Sequence, residues 1–267
     1  MSAATVFRDL AYDCPQGTSL LLDIHRPEGE EPCPVILYVH GGGWRSGDKE
    51  DTVQVDALIA RGFAVATITY RLLPAFPFPA QVCDVKAAIR WLRANGRTYG
   101  LATDKIGAWG HSAGAHLVAL CAVTNSLPIF DEGENLGYSS RLDAVCCVAG
   151  FFDFLTLARH RKHGAEDDLL GHEPGRCQRA AFASPVTYLS ASAPPFLLIH
   201  GLIDDVVPAR QSQDFDASLR ETGVPSHLIL QESMDHRNWG HPDVSREMPA
   251  FFQRTISPAS LPATLPS

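Results

Sequence analysis

The sequence has no apolar run long enough to cross a bilayer. Its longest nearly apolar stretches, Ala144–Phe152 and Leu117–Val123, fall well short of the 18 or so residues that a spanning helix needs. Basic charge is scarce too: 22 Lys and Arg stand against 30 Asp and Glu, the formal charge is −8, and no Lys/Arg run exceeds three. A chain of this kind carries no basic field for nucleic acid or for an anionic membrane surface. A secretory signal's apolar segment is missing as well, because Arg8 and Asp9 stand where it would fall, and the expectation is a cytoplasmic protein. The seven cysteines, at positions 14, 33, 83, 121, 146, 147 and 177, include no C-x-x-C pair and make an odd number. Reduced, buried thiols are expected of them, not a disulfide or zinc framework. His160, His163 and His172 cluster, but no H-E-x-x-H or matched second pair accompanies them, so they read as a solvated face. No metal and no cofactor are expected.

What the chain does have is the material for a large core. At 267 residues and 45% hydrophobic content it can bury roughly three quarters of its unfolded surface, which excludes disorder as the dominant state. Leu20, Leu22 and Ile24 alternate with polar or outward positions, as an early antiparallel strand would. Val35–Val39, Phe63–Thr69, Ile106–Trp109, Ala144–Val148, Phe196–His200 and His227–Leu230 are short buried-strand runs, each separated from the next by room for a helix. Helices are expected at Thr52–Arg61, Ala80–Asn95, Ala113–Val123, Ala209–Thr222 and Val244–Thr255. In the second of these Val82, Val85, Ala88, Ile89 and Leu92 form one stripe, with Lys86, Arg90 and Arg93 outside it, which reads as a surface helix. The pattern predicts an α/β fold with a mostly parallel central sheet flanked by helices. It reads as one domain over residues 1–256 with a flexible tail at 257–267. Asn125–Arg141 and Phe154–Phe182 are richer in polar residues and helix breakers, and both are expected at the C-terminal side of the sheet as small cap insertions.

The most specific signal is Gly110-His111-Ser112-Ala113-Gly114, directly after a buried strand and opening an apolar helix. A sharp strand-to-helix turn of this type forces a strained backbone on the central serine and needs small residues on both sides, which identifies Ser112 as a nucleophile candidate. His40-Gly41-Gly42-Gly43-Trp44 follows another buried strand. Its glycines free backbone N–H groups to converge on a developing oxyanion, with Gly42 and Gly43 donating from this loop and Ala113 from the serine turn. His40 reads as a structural residue that holds the loop. A serine nucleophile needs an imidazole to take its proton and a carboxylate to fix the imidazole tautomer. The loop after Phe196–His200 offers Asp204 or Asp205, and the loop after the last strand offers His236, with His227 and His241 as competitors. Trp44, Phe151, Phe152 and Trp239 lie next to these loops and are candidates to wall an acyl or aromatic pocket.

With these residues in place, the chain from about residue 20 to 255 resembles the α/β-hydrolase superfamily, specifically small esterases carrying H-G-G-G-W and G-x-S-A-G. Tyr70-Arg71-Leu72, Phe76-Pro77-Phe78-Pro79-Ala80-Gln81, Asp84-Val85-Lys86-Ala87-Ala88, Ser184-Pro185-Val186-Thr187-Tyr188 and His200-Gly201 through Asp204 with Val207-Pro208 are similar to segments of bacterial acetyl-xylan/feruloyl-type carbohydrate esterases and of their hormone-sensitive-lipase-like relatives. The resemblance implies a Ser112, Asp204, His236 triad, prefers Asp204 over Asp205, and implies a small-molecule ester as substrate. Gly110 through Leu117 and Met234-Asp235-His236 are also similar to arylformamidases, the kynurenine formamidases, which makes N-formylkynurenine hydrolysis the alternative activity. Gly43 and Arg237 depart from that family's usual tyrosine and phenylalanine, and both departures favour the esterase. A catalytically inactive hydrolase-fold receptor for small ligands is the rival from another class, and retention of both nucleophile and base weighs against it. Nothing in the sequence specifies an oligomeric state.

Overall fold

Along the central strands, alternate side chains fall into two different cores. In Cys33–Val39, Val35, Leu37 and Val39 join one cluster while Ile36 and Tyr38 join the other. A strand covered on both faces has no need of polar residues on either, which is why this run is wholly apolar. The computed structural model describes residues 4–160, 164–171 and 174–257. Its strands are β1 (Ala4–Asp13), β2 (Leu20–Pro27), β3 (Cys33–Val39), β4 (Ala64–Ile68), β5 (Leu101–His111), β6 (Ala144–Val148), β7 (Phe196–Gly201) and β8 (Ser226–Gln231). They form one sheet of order β1-β2-β4-β3-β5-β6-β7-β8. β1 and β2 pair antiparallel, β2 pairs antiparallel with β4, and every pairing from β4 to β8 is parallel. Among the described residues, no helix is long and apolar enough to cross a membrane.

The helices are α1 (Val55–Ile59), α2 (Ala80–Asn95), α3 (Ala113–Val123), α4 (Phe154–His160), α5 (Glu166–Leu170), α6 (Arg176–Ala183), α7 (Arg210–Glu221) and α8 (Pro242–Thr255). Apolar residues of α1 and α8 pack into the core that holds Tyr38, and those of α2, α3 and α7 into the core that holds Leu37. The bounds of α2 and α3 coincide with those expected. β1 was not anticipated, because its burial is mostly light and its residues carry no clean alternation.

Three expectations need correction. α2 is not a surface helix: from Gln81 to Leu92 it is buried, Lys86 and Arg90 included. The second correction explains the first. Residues 125–141 follow α3, not a strand, and lie against α2 instead of capping the C-terminal ends of the strands. There Lys86 donates to the carbonyls of Thr124 and Leu127 and pairs with Asp131, and Arg90 donates to the Glu134 carbonyl and pairs with Asp131 at 2.8 Å. The loop therefore supplies partners for two cations that helix periodicity alone would leave in solvent. Third, Cys14 and Cys177 are exposed, whereas the other five thiols are buried and unpaired as expected. Burial pushes the thiols of Cys83 and Cys121 up to about 12. The expected tail lies, apart from Ser257, outside the described residues, as do His163, His172 and the side chain of His160.

Removing one partner from a buried ion pair leaves an uncompensated charge in the interior. Asp131→Ala should therefore lower the unfolding free energy by about 3 kcal/mol in urea titration. Asp104→Ala, at an exposed pair with Arg97, should leave it unchanged. Equal midpoints for the two variants would show that Asp131 does not neutralise the buried cations.

Candidate active site

The turn at Ser112 has the geometry that its small neighbours predict. Ser112 adopts φ 55° and ψ −117°, a conformation rarely open to a residue with a side chain, between the end of β5 and the start of α3. Its amide donates to the Val148 carbonyl at 2.9 Å, which ties the strained turn to β6. The strain projects the hydroxyl at the C-terminal edge of the sheet, where the loops after β3, β7 and β8 also arrive.

Those loops bring the remaining candidates together. Ser112 Oγ lies 3.0 Å from His236 Nε2, and His236 Nδ1 lies 2.8 Å from Asp204 Oδ2. Ser112 and His236 are nearly buried, at 6% and 8% exposure, and the Asp204 side chain is fully buried. Burial alone would raise the Asp204 carboxyl. Hydrogen bonds from His200, His236 and the Val207 amide outweigh it and hold the group well below the usual carboxylate range. Asp205 faces away and pairs with exposed Arg237 at 3.2 Å. Neither competing histidine approaches this arrangement: His227 is exposed on β8, and His241 caps α8 by accepting from the Asp243 amide.

The glycine loop after β3 closes the other side. A Cβ placed on Gly41 would lie 3.6 Å from Ser112 Cβ, so the loop passes directly beside the nucleophile candidate. Gly42 and Gly43 have φ of 103° and 61°, and a side chain on Gly42 would meet the Ser46 carbonyl oxygen at 2.2 Å. Only glycine suits that conformation and clearance. The Ala113 amide sits at the N-terminus of α3, where backbone N–H groups favour negative charge. His40 is structural in the sense expected: its Nδ1 donates to the Gly41 carbonyl at 2.8 Å and its ring stacks on Tyr70.

Of the aromatic residues expected beside the loops, Trp44, Phe151 and Phe152 are buried and Trp239 is half-buried. Trp44 is fully buried, packs against Phe151 and Phe154, and donates its indole N–H to His116 Nδ1 at 3.1 Å. Phe151 is likewise buried, and Phe152 stacks on Phe215 in the core. Trp239 is half-buried and stacks on His111 at 5.3 Å. Trp44 and Trp239 thus each contact a histidine beside the site, His116 and His111. Of the two expected cap segments, only the one after β6 meets the site. A Cβ on Gly43 would lie 3.0 Å from that of Ala165, just before α5, and Arg45 pairs with Asp168 of α5.

Two buried histidines were not singled out in the sequence as site residues. His111 Nε2 donates to the His236 carbonyl at 2.8 Å, and His200 Nε2 lies 3.2 Å from Asp204 Oδ2. The available signal was position: His111 precedes the serine and His200 ends the strand that leads to the acid. Among the described residues, no cluster of His, Cys, Asp or Glu could hold a metal ion.

An eight-stranded, mostly parallel sheet with a strained serine turn after its central strand is the α/β-hydrolase fold. The chain belongs to the BD-FAE family, whose sequence pattern matches residues 22–219. It is 34% identical over 231 residues to Esterase LipQ of Mycobacterium tuberculosis, covering 81% of this chain and 53% of that protein. It is also 33% identical over 232 residues to the probable carboxylic ester hydrolase LipM of the same organism, with the same coverage. The chain thus spans about half the length of these curated relatives. Among solved structures, a truncated carbohydrate esterase from gut microbiota superposes with a TM-score of 0.87 at 26% identity, covering 95% of this chain and 96% of that one. A bifunctional GH43-CE protein of Bacteroides eggerthii matches with a TM-score of 0.83 at 32% identity, over 93% of this chain and 38% of the other.

The buried imidazoles set the acid limit of the fold. Burial, and then the neighbouring His236, push His111 down to about 3, and burial takes His116 down to about 4 against a weaker opposing effect of its hydrogen bond to the Ala183 carbonyl. Unfolded, each ring takes a proton near pH 6.5. Between that value and the folded one the unfolded state binds more protons, so stability is lost as pH falls. His116 alone should cost on the order of 3 kcal/mol between pH 7 and pH 4. The depressed Asp204 carboxyl adds stability that is lost only below about pH 4. Urea unfolding at pH 7 and pH 4.5 checks this, and equal free energies would mean that the rings are charged in the native state.

Proposed function

We propose that the chain is a serine carboxylesterase that hydrolyses short-chain acyl esters, with acetylated or feruloylated carbohydrate among the fitting substrates, through an acyl-enzyme intermediate. The observation that carries this reading is the continuous hydrogen-bonded line from Ser112 Oγ through His236 to Asp204 at a strained turn beside a glycine loop. His236 removes the proton from Ser112 as its oxygen attacks the ester carbonyl, and Asp204 holds the ring in the tautomer that allows it. The amides of Gly42, Gly43 and Ala113 receive the negative charge on the carbonyl oxygen. His236 then gives the proton to the leaving alcohol, and a water molecule repeats the sequence on the acyl-enzyme.

The names of the relatives, esterases and carboxylic ester hydrolases, support ester over formamide as the bond cleaved. The carbohydrate esterase among the similar structures supports a sugar-borne ester. Short acyl groups fit the close approach of Ala165 to the glycine loop and the filling of the space beside it by Trp44, Phe151 and Phe154. That all three reacting side chains sit on loops of one sheet supports treating the chain as a single working unit.

Ser112→Ala should remove turnover while leaving the unfolding midpoint unchanged. Asp204→Asn should cost on the order of 10⁴ in kcat by stranding the wrong imidazole tautomer, and Asp205→Asn should be mild. A Ser112→Ala enzyme that retains a tenth of its turnover would place the nucleophile elsewhere.

Substrate scope is read from nitrophenyl esters from acetate to dodecanoate, with methyl ferulate, acetylated xylan and N-formylkynurenine alongside. The expected order is acetate to hexanoate well above dodecanoate. Faster hydrolysis of dodecanoate would remove the short-chain assignment, and N-formylkynurenine as the best substrate would remove the esterase one.

A further inference from the structure

We propose that His200 is a positioning residue for the acid: it donates a second imidazole N–H to Asp204 and so fixes the carboxylate that orients His236. The proposal rests on the triad reading above. His200 is the next-to-last residue of β7, four residues before Asp204, and is fully buried. Its Nε2 faces two acceptors, the Val207 carbonyl oxygen at 3.0 Å and Asp204 Oδ2 at 3.2 Å. Neither can donate, so Nε2 must carry the hydrogen. Its Nδ1 meets the Ser212 hydroxyl of α7 at 2.7 Å, which holds the ring from the far side.

Asp204 is surrounded by donors. Oδ1 accepts from the amides of Val206 and Val207 at 2.8 and 2.7 Å, and Oδ2 accepts from His236 at 2.8 Å and lies 3.2 Å from His200 Nε2, whose hydrogen it shares with the Val207 carbonyl. Two consequences follow. The carboxylate cannot rotate away from His236 without giving up a donor. His200 also draws charge from the oxygen that faces His236, which limits how far Asp204 favours the protonated base. The other titratable or charged groups nearby are His111 on β5, which donates to the His236 carbonyl, and Asp235, Asp205 and Arg237 on the two loops, the last two paired with each other at the surface. None of them donates a side-chain hydrogen bond to Asp204 among the described residues.

Two polar substitutions separate positioning from packing. Asparagine at 200 keeps an amide near the Nδ1 position, within reach of Ser212, and loses the donor to Asp204. Glutamine keeps a donor near the Nε2 position. His200→Asn should lower kcat about ten- to a hundred-fold, the worth of one hydrogen bond to a charged group, with KM within about twofold. The acid limb of its kcat/KM profile, which reports protonation of the base, should move to higher pH because Asp204 has lost a donor. His200→Gln should restore both to near wild type. An Asn variant with wild-type kcat overturns the proposal. So do Asn and Gln variants with equal losses and an unmoved limb, since those mark a packing role. Nitrogen-15 histidine spectra of the wild-type protein test it without any variant, and a hydrogen on Nδ1 with none on Nε2 of His200 would equally overturn it. Turnover retained by Ser112→Ala would remove the triad reading itself, whereas the His200 results bear only on how the acid is held.

Discussion

A side chain on Gly114 would bring its first carbon to 2.0 Å from the Val39 carbonyl oxygen, and one on Gly110 would come within 2.4 Å of the Gly114 carbonyl carbon. Helix α3 therefore begins in direct backbone contact with the end of β3 and folds back tightly on β5. That approach brings the serine turn and the glycine loop side by side, so that an N–H from each can face the same small volume. It also forces Ser112 into its left-handed conformation, since the chain must reverse from strand to helix with no room to spread the turn. A methyl group on Gly114 would meet the Val39 carbonyl and push the serine turn away from the glycine loop.

Strain of this kind persists only if the surroundings hold it in place, and buried histidines do much of the holding, with His116 connected at both ring nitrogens. His116 receives the Trp44 indole N–H on one nitrogen and donates to the Ala183 carbonyl at 2.8 Å with the other, joining the glycine loop to the end of α6 through α3. His111 fastens the turn before the serine to the His236 backbone. His40 fastens its own loop and stacks on Tyr70, whose hydroxyl donates to the His40 carbonyl at 3.0 Å. A ring with a donor on one side and an acceptor on the other can satisfy two loops at once where water is excluded, and no aliphatic residue offers that.

The parts of this arrangement that were legible in the sequence are those written in short-range pattern. Gly110 to Gly114 after an apolar strand, and His40 to Trp44 after another, state a local backbone geometry, and α2 and α3 carry their own bounds in their periodicity. The order of loops along the chain then limited the acid and base to few residues. The misreadings share a different character. Lys86 and Arg90 look solvent-facing because periodicity knows nothing of a loop arriving 41 to 45 residues later to cover them. Adjacency to a loop does not say which side of it a ring takes, and Trp44 takes the buried side. His200 looked like the last residue of a strand, and its partner Asp204 becomes its neighbour only through the turn at Gly201 to Ile203.

The same division separates the Ser112–His236–Asp204 line from the insertion beside it. Ser112, His236 and Asp204 are fixed by loops at the ends of sheet strands, and their positions depend on contacts between strands, turns and helix ends that leave little freedom. Ala165 stands beside Gly43 in an insertion between β6 and β7, tied back through the Arg45–Asp168 pair at the surface and through the Ala183 carbonyl to His116 in the interior. The surface pair is exposed on both partners, so it contributes little to stability, while the interior link is buried and does most of the fastening. Under the proposed esterase function, repacking around Ala165 would change acyl preference without disturbing the hydrogen-bonded line from Ser112 to Asp204. A change at His116 cannot, because the ring belongs to both: it braces the insertion and, through Trp44, the glycine loop beside Ser112.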